Sequence, residues 1–356
     1  MRRFELCVPI LLLSLSACTP GEPLSSDGEA TGAQMPAGAL HNGPAFEFNE
    51  IADGVYHITG TGSMSVGANS VAIVNDEDVM LVDSHISPAA LYVLRQELSS
   101  VTDKPIRYVV NTHFHFDHSD GNQMFGEDVE IIGHRFTREV LEGNPLEGGT
   151  FEYFTAGIPS QIAQLESDVA SASEEDRAAL EEQLFVLENF RDALGDVRPT
   201  PPNLTLDRKM TIFSGDREIQ LLFLGRAHTG GDVLVYLPEE GILCTGDLLV
   251  DGLAYMGDGF VSEWIETLDA VAQLDFNTVL PGHGAAFTGK EKIDSFKSYL
   301  ADFWTQTNQL HSQGVPAEEA AGMLDLSVHS DAYPEIQGLG GDPMAVRRLY
   351  ELLDAE

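Results

Sequence analysis

The chain has 356 residues, 43% of them hydrophobic and 21% charged, enough for one large α/β domain with insertions. Its 57 acidic side chains against 19 basic ones set a formal net charge of −38. That balance argues against nucleic acid as substrate or partner, because phosphate recognition needs a cationic surface.

The opening MRRFELCVPILLLSLSACTP couples two arginines to a short apolar stretch. Residues 1–17 read as an export signal peptide, their apolar core too short for a comfortable membrane span. Leu15, Ser16, Ala17 and Cys18 resemble a bacterial lipobox, in which cleavage precedes a cysteine that is then acylated, so Cys18 is the expected lipidation site. Thr19 after it, in place of Asp, implies the outer membrane. The protein is then periplasmic and meets the membrane through an N-terminal lipid anchor; an ordinary signal peptide would instead release a soluble periplasmic protein. Residues 18–45, rich in Gly, Pro, Ser, Ala and Thr, read as a lipidated flexible tether.

Strands dominate 46–83, with turns at GTGSM and NDED, and a helix is predicted over 88–100. His57 reads as a structural histidine on an early strand. His85 is a possible substrate contact at the site edge. The β-branched run IRYVVNT then leads into HFHFDH at 113–118, which crowds His113, His115, Asp117 and His118 into six residues. Imidazole and carboxylate donors suit zinc, iron or manganese. In extended chain, residues two apart point the same way, so His113 and His115 converge on one ion while Asp117 and His118 turn toward a second.

A strand at 129–132 follows, with His134 as a hydrogen-bonded residue at a helix start. An insertion over about 145–202 shows apolar residues at three- and four-residue steps and predicts two helices in an antiparallel arm ending at PTPPN. Ser173, followed by Glu174, Glu175 and Asp176, is the expected cap of the second helix. Two readings of the arm stand: a roof over the metal site, or a packing or dimerisation hairpin. Further strands are predicted at 204–213, 218–224, 233–237, 242–245 and 277–280, with helices at 262–273, 289–311 and 343–354. Three apolar runs carry ligand-type residues beside glycine: His228 in IQLLFLGRAHTGGD, Asp247 in GILCTGD and His283 in NTVLPGHG. Cys244 lies an odd number of residues before Asp247 on one strand, so its thiol is expected in the core, turned from the metals.

The order HxHxDH, His, Asp, His over roughly residues 50–300 resembles the metallo-β-lactamase superfamily. The resemblance implies a four-layer αβ/βα sandwich over 46–312, with ligands on loops along one edge and 313–356 as a C-terminal helical extension packed on the domain. It also implies that His113, His115 and His228 hold a first metal, that Asp117, His118 and His283 hold a second, and that Asp247 bridges them. Asp83, ending the strand VMLVDS, matches a residue that orients a ligand histidine; the other reading is a cap for the helix in SPAALYVLRQEL.

Two divalent ions, zinc first and iron or manganese as alternatives, acidify a bridging water from about 15.7 to roughly 7. The expected reaction is attack of that hydroxide on the carbonyl of a small-molecule ester, thioester, lactone or β-lactam, with Asp117 orienting it and relaying its proton. A β-lactamase proper is a weaker fit. The best-known lactamases carry Cys or Ser where Asp247 stands, and no lysine in GDLLVDGLAYMGDG is there to hold a lactam carboxylate. Arg226 and Tyr255 are the possible substitutes as substrate contacts. An iron-dependent sulfur dioxygenase would leave His118 and His283 idle. A non-catalytic binding lipoprotein would have no use for seven intact ligand-type positions.

Overall fold

Four short strands, Ser70–Val74, Val79–Val82, Leu234–Leu237 and Ile242–Gly246, are buried along nearly their whole length, which requires cover on both faces. The computed structural model describes residues 35–147 and 149–355 and meets that requirement with two sheets packed face to face. The expected signal peptide, the lipidation site Cys18 and the first part of the tether lie outside the described residues.

The first sheet holds, in spatial order, β1 (Phe46–Ala52), β2 (Val55–Gly60), β3 (Ser70–Val74), β4 (Val79–Val82), β5 (Ile106–Val110), β6 (Glu130–His134) and β7 (Leu204–Leu206). Its first four strands pair antiparallel, and β4 through β7 run parallel. The second sheet holds β8 (Lys209–Ser214), β9 (Arg217–Leu222), β10 (Leu234–Leu237), β11 (Ile242–Gly246), β12 (Thr278–Pro281) and β13 (Phe287–Thr288), neighbours in that order.

Strict alternation along the strands assigns side chains to layers. Val71, Ile73, Met80 and Val82 meet Ile219, Leu221, Val235 and Cys244 between the sheets. Ala72, Val79 and Leu81 point the other way, onto helix Pro88–Leu98. On the far side, Leu234, Tyr236 and Leu243 pack beneath helices Val261–Val271, Glu291–Ser312 and Pro343–Ala355. Helix, sheet, sheet, helix is the expected αβ/βα sandwich. Among the described residues no helix is long and apolar enough to cross a membrane.

Several boundaries differ from expectation. The single strand expected over 204–213 breaks at Asp207 and Arg208, where the chain leaves the first sheet for the second. The insertion holds three helices, Gly149–Thr155, Ile158–Ser171 and Arg177–Leu194, the last two packed on each other. Ser173 does not cap the last of these: its hydroxyl and the Asp176 backbone N–H close a turn, and the helix begins only at Arg177. Within residues 35–45, assigned to the tether, two side chains are instead packed against the domain. Ala39 and Ala45 are buried in a cluster with Ala193, and a Cβ on Gly38 would lie 2.2 Å from the Asn189 carbonyl oxygen. Small apolar side chains there let the segment lie close against helix Arg177–Leu194.

Candidate metal centre

Parallel strands end together, so the residues that follow them share one edge of each sheet. Asp83 follows β4, Thr112 and His113 follow β5, Asp247 follows β11 and His283 follows β12. The loop between β9 and β10 carries His228. A backbone hydrogen bond from Val233 to the Thr112 carbonyl and another from Asn69 to the Gly282 carbonyl, each 2.7 Å, stitch the two sheets at this edge. Close approach is needed there: a Cβ on Gly282 would stand 2.2 Å from Oδ1 of Asp247.

All seven expected ligand residues meet at this edge. Nδ1 of His115 lies 2.9 Å from Nε2 of His113 and 2.9 Å from Nε2 of His228. Nε2 of His283 lies 3.2 Å from Oδ2 of Asp117 and 3.2 Å from Oδ2 of Asp247. Asp247 reaches both groups, 3.4 Å from Nε2 of His118 and 3.7 Å from Nε2 of His228.

The outer nitrogens of four of these rings are already committed. Nδ1–H of His118 donates to Asp83 at 2.8 Å, and that of His228 to the Tyr255 carbonyl at 2.8 Å. His113 Nδ1–H donates to the Thr112 hydroxyl at 3.0 Å, which itself donates to Asp83. Nε2–H of His115 donates to Asp258 at 2.9 Å. Each of these rings therefore turns its other nitrogen inward, and in His113, His115 and His228 that nitrogen carries no proton while the ring is neutral. In the group of three, those nitrogens face one another with no proton between them, an arrangement that repels unless a cation sits among them. Nε2 of His118 and Oδ1 of Asp247 are buried without a hydrogen-bond partner. Orphaned donors of borderline hardness in two adjoining sets fit divalent metal ions.

The electrostatics agree. Burial and the neighbouring imidazoles depress His113 well below the usual imidazole value, and burial with His115 takes His228 down to about 3. In the other set, burial opposes charge on His283, yet Asp247 and Asp117 raise it to about 10. Burial likewise opposes charge on Asp247, and His283 and His118 hold it well below the usual carboxylate range. Buried carboxylates that recruit protons onto imidazoles are asking for positive charge. The His283 side chain is 40% exposed and that of Asp117 16%, against 8% or less for the other ligands quoted, so the centre opens on their side.

Asp83 accepts from His118, from the Thr112 amide at 2.8 Å and from the Thr112 hydroxyl, at a φ of +64°. It does not cap the following helix. Ser87 does, its hydroxyl accepting from the Ala90 amide. His57 and His134 are structural, the first beside the Pro281 carbonyl and the second capping helix Arg135–Glu142.

The three expected substrate contacts divide. Tyr255 stands at the centre, its ring 6.0 Å from that of His115 and its hydroxyl 3.1 Å from Thr150. His85 is fully buried, bonded to Ser70 and the Val66 carbonyl, and so is shut away from any substrate. Arg226 is bound to Glu263 and lies over the Phe260 ring at 4.2 Å, engaged away from the ligand groups. Sequence reasoning missed Asp258, whose only signal was an acid between two glycines, and Thr150, which comes from the insertion and donates to Asp258. Cys244 is buried between the sheets as expected.

A family model described as the metallo-beta-lactamase superfamily matches residues 64–283, more than half of the chain. The chain is 23% identical over 294 residues to a linear primary-alkylsulfatase of Pseudomonas sp. (strain ATCC 19151), covering 77% of this chain and 53% of that one. It is 22% identical over 218 residues to the 2,4-dinitroanisole O-demethylase subunit alpha of Nocardioides sp. (strain JS1661), covering 60% and 52%. It is 24% identical over 180 residues to a type 2 metallo-beta-lactamase of Bacillus sp. (strain 170), covering 47% and 61%. The chain thus spans about half the length of the first curated relatives it matches. Among solved structures, a metallo-beta-lactamase from Pontibacter korlensis superposes with a TM-score of 0.52 at 17% identity, over 72% of this chain and 99% of that one. The DIM-1 metallo-beta-lactamase does so with 0.51 at 18%, over 72% and 98%. Likeness at such identity speaks to the fold.

Proposed function

The chain belongs to the metallo-β-lactamase superfamily, and from that premise we propose that it is a dinuclear hydrolase of carbonyl compounds, an ester, thioester, lactone or lactam. The observation that carries this reading is the convergence of seven donors at one edge, with Nε2 of His118 and Oδ1 of Asp247 buried there without a hydrogen-bond partner. His113, His115 and His228 would hold one ion, Asp117, His118 and His283 the other, with Asp247 shared. When bound, two divalent ions supply Lewis acidity, acidifying a water and polarising the substrate oxygen. Zinc suits this donor set, with iron or manganese as alternatives.

The protein's own groups do the rest. Asp83, Thr112, Asp258 and the Tyr255 carbonyl fix the tautomers of His118, His113, His115 and His228. Asp117, at the opening, would orient the attacking water and relay its proton.

Purified, zinc-loaded protein assayed against ester, thioester, lactone and lactam reporters tests the reading. The name of one relative, linear primary-alkylsulfatase, adds sulfate esters to that panel. Turnover of the β-lactam nitrocefin alone would favour the β-lactamase reading. Metal analysis separates the rest: two zincs per chain support the hydrolase, one iron the sulfur dioxygenase, and none the non-catalytic binder. Export and an acylated Cys18 are part of the same proposal, checked by a globomycin-sensitive size shift and by release of a Cys18→Ser variant from the membrane fraction.

A further inference from the structure

A cavity of about 320 Å³ opens beside His115 and Asp258, between the 113–118 loop, helix Arg135–Glu142 and the inserted helix Gly149–Thr155. Its apolar walls are Phe114, Phe116, Phe136, Val140, Leu146 and Phe151, and all six are half-buried rather than sealed in the core. The rings stand edge to face, Phe116 with Phe151 at 5.5 Å and Phe114 with Phe136 at 6.1 Å. Apolar surface gathered in a concave site and left to water gains by being covered.

The lining also says what should cover it. Asp258 is occupied by His115 and Thr150. Glu147 adds a second acid at the exposed rim. Arg348 is the cation in the wall, but its Nε–H donates to the Gly259 carbonyl at 3.2 Å, its Nη1 lies 3.7 Å from Glu351, and its guanidinium lies 4.8 Å from the Phe260 ring. Among the described residues of the wall Arg348 is the lone cation, set against the two acids Asp258 and Glu147, so the wall favours a neutral occupant over an anion. The volume suits a ring or a short branched chain.

Position ties the cavity to the chemistry. His115 belongs to both the wall and the ligand group, and Phe116 immediately precedes Asp117. The inserted helix is anchored there by Thr150, which bonds Asp258 and the Tyr255 hydroxyl, while Phe154 packs on Phe116 and Tyr255. We infer that this cavity receives the uncharged apolar part of the substrate, an aromatic ring or compact branched hydrocarbon joined to the bond that is broken. The inference rests on the hydrolase reading for the attachment, and on the walls alone for the binding.

A fluorine NMR titration with 4-fluorobenzamide tests the walls without catalysis. Saturable binding is expected, weakened roughly tenfold or more by filling the cavity with Val140→Trp or, if that variant folds poorly, Leu146→Trp. Phe213→Ala, at an exposed ring on β8, should leave binding unchanged. No binding, or binding that neither filling weakens, overturns the inference. In the zinc-loaded enzyme, kcat/KM for methyl phenylacetate should exceed that for methyl acetate by about tenfold, and the filled variant should lose that preference. Probe binding that responds to filling, with no ester, thioester, lactone or lactam turned over, would sink the hydrolase reading and keep the cavity. Turnover without preference or probe binding would do the reverse.

Discussion

Oδ2 of Asp258 accepts the Nε2–H of His115 at 2.9 Å, although the two residues are far apart in the chain. That bond decides which imidazole nitrogen turns inward, because a ring that gives its Nε2 proton to a carboxylate keeps a lone pair on Nδ1. The same carboxylate accepts from Thr150 of the insertion, so one acid joins the inserted helix to a ligand histidine.

Asp258→Ala should therefore weaken metal binding by about 10- to 100-fold with little change in melting temperature. Chelator competition measures the first and thermal denaturation the second. Asp258→Asn, which keeps a carbonyl acceptor, should recover most of the affinity; an alanine variant as tight as wild type would remove the positioning role.

Asp83 is a stability residue as well as a positioning one. Its replacement by Ala strands the His118 N–H and the Thr112 amide inside the protein, at about 1–3 kcal/mol for each lost partner. Urea unfolding of the metal-free protein should show a loss of that order. Asp83→Asn should be milder, since Asn tolerates the positive φ and can still accept.

Asp247→Ala should separate activity from folding. Its carboxylate is shared between the two donor groups, so the bound metal should fall from two ions to one and turnover by more than the roughly 100-fold that a supporting residue costs. The metal-free variant should melt close to wild type. Undiminished turnover would end the bridging assignment.

Cys244 should be inert in the native protein. Burial, with a contribution from Asp83, pushes its thiol well above the usual range, so no thiolate is present at pH 8 for iodoacetamide. Peptide mass spectrometry should find it alkylated only after denaturation. A group raised on folding stabilises below its unfolded pKa, about 8.5, and loses that contribution as pH climbs toward the native value. The loss of stability between pH 8 and pH 10 should thus be smaller in Cys244→Ala than in the wild type.

Arg226→Ala should change kcat/KM by less than about twofold and stability by under ~1 kcal/mol, the scale of an exposed ion pair. A large rise in KM would restore Arg226 as a substrate contact.

The HFHFDH loop and the later His228, Asp247 and His283 were legible because ligands of one kind recur after apolar runs, a local pattern that needs no knowledge of the fold. Two sheets covered on their outer sides were legible from the order of strands and helices, and the family resemblance supplied the four-layer sandwich. Asp258 and Thr150 were not, since an acid between glycines and a threonine in an inserted helix look ordinary until two distant loops touch. The strand expected over 204–213 failed because composition does not mark where a chain changes sheets. His85 looked available from its nearness to Asp83, and only packing closed it off.

Strand and helix periodicity and the spacing of imidazoles and carboxylates by themselves determined two helix-covered sheets and the chemistry of the donors, and the resemblance carried by the ordered ligands supplied the αβ/βα sandwich. Tertiary structure alone decided which nitrogen each ring turns inward, which acid holds it, and how the inserted helix walls a cavity beside His115. Periodicity is a property of neighbours along the chain, whereas a tautomer and a cavity are set by contacts between residues that only folding brings together.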